Sequence, residues 1–456
     1  MNNEQNIQHL PGDEQVPKRY GLFTATTMII GIVIGSGVFF KSDNILIATG
    51  GNVMLGILLF CFAAIAIIFG SLSVAELASR TSKPGGLMNY ADAFLSPVSG
   101  SAYGWFQTFI YMPTITCVLA WVSGIYTCQL FDLEQTLTMQ IGIGTCWMLF
   151  FFLLNIISAT ASGWFQNAAT IIKIIPLVII GFAGMTSGHF ADSFTPVEIG
   201  SATSWLFAIP AIAYSFDGWI ISTSIAHEIR NSKKNLPRAL VFSPLVILVL
   251  YILYFVGVCA LIGPDQVMAM GDEHLAYAAN MIFGPVGGKI IGTFIVISVV
   301  GGLNGVTMGM SQMPYSLAIR NMMPFSKVIS KTSSKRHFPV YSVLAAVVIC
   351  MIWMVIHYLT QKFELLYNSD ISEISVVVSY LLYLPLYWKV FQMGRRKEIS
   401  GFRGYLCPAL AAVGSVMIFC GGLQSALFLY YIIVCLLFLL FGRIYYKKVT
   451  VRKNLL

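Results

Sequence analysis

Charge is what this chain has least of. Only 10% of its 456 residues are Asp, Glu, Lys or Arg, 57% are hydrophobic, and mean hydropathy is +0.79. Soluble globular proteins carry about 25% charged residues, so a water-soluble enzyme is excluded. No CxxC occurs, and the nine cysteines are odd in number and lie in or beside apolar stretches. Neither a disulfide framework nor a zinc site is indicated, and the cysteines read as small apolar packing residues. His9, His189, His227, His274, His337 and His357 are scattered over tails, loops and span ends without HExxH or other metal-ligand spacing. Gly288-Lys289 is followed by isoleucine and lacks the spacing of a nucleotide-phosphate loop. The absences weigh against a polytopic membrane enzyme and a primary pump, and no metal or cofactor is expected. The polar start, Met1 to Tyr20, also lacks the basic-then-apolar order of a cleaved signal peptide.

Long apolar runs are what the chain has in their place. A membrane-spanning helix needs about 20 apolar residues, and runs occur near 22–48, 53–79, 98–130, 138–158, 164–186, 202–226, 239–263, 286–317, 339–359, 371–391, 405–422 and 424–442. The expectation is an all-α membrane protein of twelve transmembrane helices. Its 13% aromatic residues suit a helix bundle with interfacial belts, whereas a barrel shows weaker alternating segments of about ten residues.

An even number of spans puts both termini on one side, and the basic residues indicate which. Of the 27 lysines and arginines, 23 fall in the tails and alternate connections on one face, among them Arg19, Arg80, Arg230, Arg238, Arg320 and Arg403. Lys41, Lys289 and Lys362 fall on the other, with Asp132, Glu134, Asp265, Asp272, Glu273 and Glu364. Both termini are therefore expected in the cytoplasm. The net charge of +8 is explained by this orientation and implies no nucleic acid.

The last basic residue, Lys173, lies in the middle of the fifth run, Thr170-Ile-Ile-Lys-Ile-Ile-Pro-Leu-Val-Ile-Ile180. A lysine at the bilayer centre costs about 2.5–3.5 kcal/mol on insertion scales, so a partner or a purpose is expected. Snorkelling toward an interface is the other reading.

The first run contains Gly31-Ile-Val33-Ile-Gly35-Ser36-Gly37-Val38-Phe39. Clustered small residues propagate a helix poorly and can unwind where protein surrounds them. The freed N–H groups of Gly35, Ser36 and Gly37 would then bind an anion such as a carboxylate. A small-xxx-small packing face through Gly31 and Gly35 is the alternative. The sixth run carries Tyr214-Ser215-Phe216-Asp217-Gly218-Trp219. A break there would leave carbonyls able to hold an ammonium group. Asp217 is read first as the N-cap of the second half-helix and second as a direct contact for a substrate amine.

Interruptions in runs one and six imply a 5+5 inverted repeat, runs 1–5 and 6–10, with two extra helices outside it. The expected organisation is a tail at 1–20, a first repeat at 21–186, a second at 202–391, helices eleven and twelve at 404–446, and a tail at 447–456. A carboxylate held by amide N–H groups and an ammonium held by carbonyls describe a zwitterionic amino acid.

With these motifs in order, the chain resembles the amino acid–polyamine–organocation transporter superfamily, in particular its L-type amino acid transporter-like branch. The motifs are Gly35-Ser36-Gly37-Val38-Phe39, Ala75-Glu76-Leu77 with Pro84-Gly85-Gly86 and Tyr90, Tyr214 to Trp219 with Glu228-Ile-Arg-Asn231 and Lys234-Asn-Leu-Pro-Arg-Ala239, and Gly302-Leu303-Asn304-Gly305. The resemblance covers nearly the whole chain after Tyr20. It implies discontinuous helices 1 and 6, and a substrate carboxylate on Gly35, Ser36 and Gly37. It implies an α-amino group on carbonyls around Val33 and from Tyr214 to Asp217, and an aromatic gate at Tyr214. Lys173 matches a fifth-helix lysine of sodium-independent members that bridges the first and eighth helices. Ser232 and Gln312 stand where the family commonly has proline and arginine. Asp132-Leu-Glu-Gln-Thr136 contains no cysteine, so no disulfide-linked heavy subunit is expected.

The expected function is sodium-independent transport of small neutral L-amino acids across the plasma membrane by alternating access, as an exchanger. Proton- or ion-coupled symport and exchange of cationic amino acids are the alternatives. Tyr111, Trp219, Tyr251, Tyr254 and Asn304 are candidates to line the side-chain pocket.

Overall fold

The computed structural model describes residues 18–35, 37–81, 83–187, 194, 208–333, 338–366, 370–423 and 428–454. Their helices in chain order are α1 (Leu22–Val33), α2 (Gly37–Ala48), α3 (Val53–Ala78), α4 (Leu87–Phe94), α5 (Pro97–Phe106), α6 (Met112–Leu130), α7 (Leu137–Ile157), α8 (Ala159–Met185) and α9 (Ala208–Phe216). A 3₁₀ segment (Ile221–Glu228) precedes α10 (Ser232–Ile262), α11 (Pro264–Met270), α12 (His274–Phe283), α13 (Pro285–Ala318), α14 (Ser326–Ile329), α15 (Val340–Lys362), α16 (Glu373–Arg395), α17 (Cys407–Gly422) and α18 (Phe428–Asn454). A π turn at Gln107–Tyr111 joins α5 to α6 into one rod. Among the described residues there is no strand, only an isolated bridge between Tyr20 and Ile229.

Among the described residues, ten helices are long and apolar enough to cross a bilayer. The first and sixth apolar runs are not among them: α1 ends at Val33, and α9, described from Ala208, ends at Phe216. The chain is a multi-pass membrane protein. Its outside is apolar, with Leu58, Phe62, Val249 and Ile352 at least half exposed. That pattern stabilises a protein only where lipid covers it.

Local chemistry sets several helix starts. Asn52, Ser96, Thr136 and Ser158 each turn a side-chain oxygen onto an N–H of the first turn, replacing donors that a helix end leaves unpaired. Ser158 explains why α8 begins at Ala159, ahead of the apolar run expected from residue 164. Likewise α10 starts at Ser232 and α18 runs on to Asn454. A helical backbone satisfies itself and does not stop where hydrophobicity stops. The short helices α4, α11, α12 and α14 lie in connections that apolar periodicity did not reveal.

Prolines sit inside several membrane helices. In α13, Pro314 is followed by a repaired ladder: Tyr315 N donates to Ser342 Oγ at 2.9 Å, and that hydroxyl donates to Ser311 O at 2.7 Å. A serine from α15 thus inserts into the hydrogen-bond ladder, a recognised way of holding a bent helix. The central rod is Pro97–Leu130, 83% of whose apolar window is buried, against 17% for Phe428–Val451 at the periphery. Against this rod pack α7, α13 and α15, and α16 meets its π turn. Residues 27–35 and 215–226 are buried, so the interruption after α1 and the turn after α9 sit inside the bundle.

Candidate functional site

The first interruption begins at Ile34. Its backbone has ψ +71° and its N–H still reaches Ile30 O at 2.8 Å, while Gly35 N turns to Val33 O at 2.8 Å. Helix geometry resumes at Gly37. Ser36 lies outside the described residues, as do the side chains of residues 37–41. The alternative packing role of Gly31 is also realised: a Cβ there would lie 2.2 Å from Thr170 Oγ1 of α8. Packing and interruption occur together, one turn apart.

Lys173 closes the end of α1. It is fully buried, and its Nζ donates to Gly31 O at 2.6 Å and Ile34 O at 2.7 Å. These are last-turn carbonyls that α1, ending early, cannot pair for itself. An ammonium there is favoured by the negative end of the helix. The snorkelling alternative is therefore not adopted. Lys173 also borders α13: a Cβ built on Gly301 would lie 3.6 Å from Nζ, and one on Gly302 would lie 3.5 Å from Gly35 Cα. Its hydrogen bonds go to the first helix, and its link to the eighth apolar run is close packing.

The second interruption follows Phe216. Residues 217–220 form a turn with Gly218 at φ +92°, and the 3₁₀ segment starts with Ile221 N on Gly218 O at 3.0 Å. That φ favours glycine, and the site is crowded as well: a Cβ on Gly218 would lie 2.5 Å from Ile32 Cγ2 of α1. The two interruptions are therefore neighbours. Tyr251 of α10 joins them, with its hydroxyl 2.9 Å from Val33 O and 2.6 Å from Ser215 O.

The expected cap is not formed by Asp217. The 3₁₀ segment has Ile220 at its N-cap and no side-chain cap bond. Asp217 is instead buried facing the π turn, where Tyr111 donates its hydroxyl hydrogen to Oδ2 at 2.7 Å and Oδ1 has no hydrogen-bond partner. Around it, Trp219 stacks edge-on to Tyr383 at 5.7 Å and Tyr383 to Tyr380 at 5.3 Å. The hydroxyls of Tyr380 and Tyr383 and the Trp219 Nε1 are buried here too, close to one another but with no hydrogen bond of good geometry. Buried polar atoms in such number are unusual in a folded interior, and together they offer donors and acceptors to a small polar guest.

Other expected residues lie elsewhere. Phe216 packs against Phe60 and Tyr251. Tyr254 meets His274 Nε2 at 3.1 Å. Asn304 clasps α8, accepting from Ser162 Oγ at 2.7 Å and donating to Gln166 Oε1 at 3.0 Å. The backbone of Tyr214 belongs to α9, while its side chain is outside the described residues. Among the described residues no three His, Cys, Asp or Glu side chains converge as metal ligands would.

One constellation went unseen in the sequence. At the basic end of the bundle, Arg19 N and Tyr20 N donate to Glu228 O at 2.9 and 3.1 Å, and Arg230 N donates to Tyr20 O at 2.7 Å. The Tyr20 hydroxyl reaches Ala159 O at 2.9 Å. The Glu228 carboxyl is buried two residues beyond the sixth apolar run. It accepts from Gln312 Nε2 at 3.0 Å and pairs with Arg19 at 3.7 Å. Burial pushes the Glu228 carboxyl up to about 7 against the pull of Arg19, and pushes the His227 imidazole beside it down to about 4. Thus the segment before α1 straps the end of the sixth run to α8, Glu228 itself reaches Gln312 of the eighth run, and Arg19 supplies a cation that Gln312 cannot. The clue in the sequence was an acid, Glu228, just past the end of the sixth apolar run.

The comparisons agree with this architecture. A family model described as amino acid permease matches residues 20–449. The chain is 30% identical over 414 residues to the serine/threonine exchanger SteT of Bacillus subtilis (strain 168), covering 89% of this chain and 91% of that one. It is 23% identical to the human cystine/glutamate transporter, over 82% of this chain and 73% of the relative. The corresponding figures for the human b(0,+)-type amino acid transporter 1 are 24%, 77% and 73%. With two interrupted helices in a polytopic bundle and a family match from Tyr20 nearly to its end, the chain belongs to the amino acid permease family.

Proposed function

We propose that this protein exchanges small neutral L-amino acids across the plasma membrane, without sodium, by alternating access. The observation that carries the reading is the Tyr251 hydroxyl lying on both Val33 O and Ser215 O. One hydroxyl can touch both only if the two interruptions face each other. A substrate ammonium, with three donors, would take the place of that hydroxyl on the two carbonyls. Its carboxylate would take the N–H groups of Ser36 and Gly37 at the start of α2, and that of Gly35 once it leaves Val33 O.

Support for twelve spans comes from the ten long helices and two interrupted runs. Discontinuous helices in runs one and six also favour the inverted repeat of 21–186 and 202–391, with helices at 404–446 outside it and tails at 1–20 and 447–456. The excess of basic residues on one end favours cytoplasmic termini. Lys173, fixed on Gly31 O and Ile34 O, offers a cation where a coupled ion would otherwise satisfy the end of the broken helix, which favours sodium independence. The loop Asp132 to Thr136, free of cysteine, favours function without a disulfide-linked subunit.

Asp217 bears on the side chain accepted. Its unpaired Oδ1 can receive a hydroxyl hydrogen, which favours serine and threonine, the amino acids for which the Bacillus subtilis relative is named. The same oxygen favours exchange of cationic amino acids as the second reading. Counterflow in proteoliposomes separates these. Labelled serine should accumulate when unlabelled serine, threonine or alanine is trapped inside, with no sodium or proton gradient imposed. Uptake that requires an imposed ion gradient would overturn exchange, and counterflow driven by lysine or arginine but not by serine would select the second reading.

A further inference from the structure

At the basic end of the bundle α1 and α3 both pack along α10, and between them a groove of about 590 Å³ remains open. Its deeper wall is apolar, made by Leu22 of α1, Leu72 of α3 and Val241 and Phe242 of α10, and its rim carries Arg238, Arg403 and Glu76. Arg403 Nη1 meets Glu76 Oε1 at 3.1 Å, and Arg80 meets the other carboxylate oxygen at 3.4 Å. Arg238 is exposed and has no ion-pair partner among the described residues. Two lining guanidinium groups, Arg238 and Arg403, thus stand with one lining carboxylate, Glu76, which Arg80 also pairs, and the rim is net positive.

The apolar surface continues below the rim. Phe242, Leu245 and Val249 are 60%, 45% and 65% exposed and follow Arg238 at successive turns of α10. They form a track that leads from the charged rim toward the middle of the membrane. A soluble anion would use the rim and leave the track uncovered; a molecule with an anionic head and a hydrocarbon tail uses both.

We infer that the groove binds an anionic phospholipid, with its phosphodiester between Arg238 and Arg403 and an acyl chain along Phe242, Leu245 and Val249. Basic pockets between membrane helices are suited to such headgroups. Because α1 forms one wall, the lipid braces the half-helix that precedes the first interruption. The site stands whether or not the proposed substrate class is right.

The test is lipid retention by the purified full-length protein, measured by native mass spectrometry after incubation with equimolar phosphatidylglycerol and phosphatidylcholine. Phosphatidylglycerol should be retained preferentially, and Arg238→Gln should lower its retention about five-fold, as expected for one basic side chain at a membrane surface. Thermal melting in phosphatidylcholine alone reports whether that variant is folded; should it not be, Arg403→Gln reads the same headgroup contact. Equal retention of the two lipids, or unchanged preference in the folded variant, would overturn the proposal. So would displacement of the lipid by water-soluble glycerophosphate at matched concentration, which would make the ligand a free phosphate compound.

Discussion

Tyr111 and Asp217 meet in the interior of the bundle, the phenol oxygen 2.7 Å from Oδ2. The contact joins the π turn of the central rod to the turn where the sixth apolar run leaves helical geometry. It occupies one carboxylate oxygen and leaves the other without a hydrogen-bond partner, in a neighbourhood that includes Tyr380 and Tyr383. An acid held this way is positioned, but its accepting capacity is not used up.

Asp217→Asn should therefore change selectivity more than folding. A hydrogen bond to a charged group contributes about 1.5–3 kcal/mol, so the preference for serine over alanine should fall by at least about ten-fold. Competition of unlabelled amino acids against labelled alanine uptake gives the ratio. An unchanged ratio would remove Oδ1 from contact with the substrate side chain.

Lys173→Ala strips donors from Gly31 O and Ile34 O. Each buried carbonyl left unmet costs about 1–3 kcal/mol, so melting temperature should fall and uptake in proteoliposomes should be nearly abolished. Normal exchange by a variant with lowered melting temperature would confine Lys173 to a structural part.

Tyr251→Phe removes the hydroxyl between Val33 O and Ser215 O. The unliganded protein should melt earlier, by an amount matching about 1–3 kcal/mol of lost satisfaction. The rise in melting temperature on adding substrate should exceed that of the wild type, since the ammonium then takes the place the hydroxyl held. A smaller ligand-induced rise would mean that the hydroxyl assists substrate and does not compete with it.

Glu228 makes closure of the basic end sensitive to pH. Burial holds its carboxyl near 7, above the ordinary 4.5, so the strapped state binds a proton more tightly than a state in which Glu228 meets water. That stabilisation is complete below the ordinary value and is lost as pH rises toward 7. His227, pushed down to about 4 by burial, is neutral over most of this window, and Gln312 does not titrate. Acidifying the compartment on this side from about pH 8 to about pH 6 should slow exchange by favouring the strapped state. Glu228→Gln should be slow and nearly flat across that range. A variant with the wild-type pH slope would place the titrating group elsewhere.

Much of the scaffold was readable from residue order because lipid imposes a severe rule on spanning segments: apolar side chains outside and hydrogen bonds made within the helix. Gly31 to Gly37 and Tyr214 to Trp219 stood out as violations of that rule, and the chain does leave helical geometry at both. Asp217 was harder. Local pattern favours a cap, but capping needs a regular first turn to receive the carboxylate, and the 3₁₀ segment begins only at Ile221. Asn304 looked equally free in sequence, yet its amide is held by Ser162 and Gln166.

Residue order alone determined that this chain lives in a bilayer, where its helices must give way, and that a cation stands in the middle of an apolar run. Each of these follows from local composition, since solvation and backbone propensity act on short stretches. Only the tertiary structure decided that Lys173 closes the end of α1, that Tyr251 reaches both interruptions, that Tyr111 engages Asp217, and that Arg19 straps Glu228. Those are choices among partners distant in the chain. They are made by which helices pack together, because a buried donor or acceptor must take whichever complement the packing brings within about 3 Å.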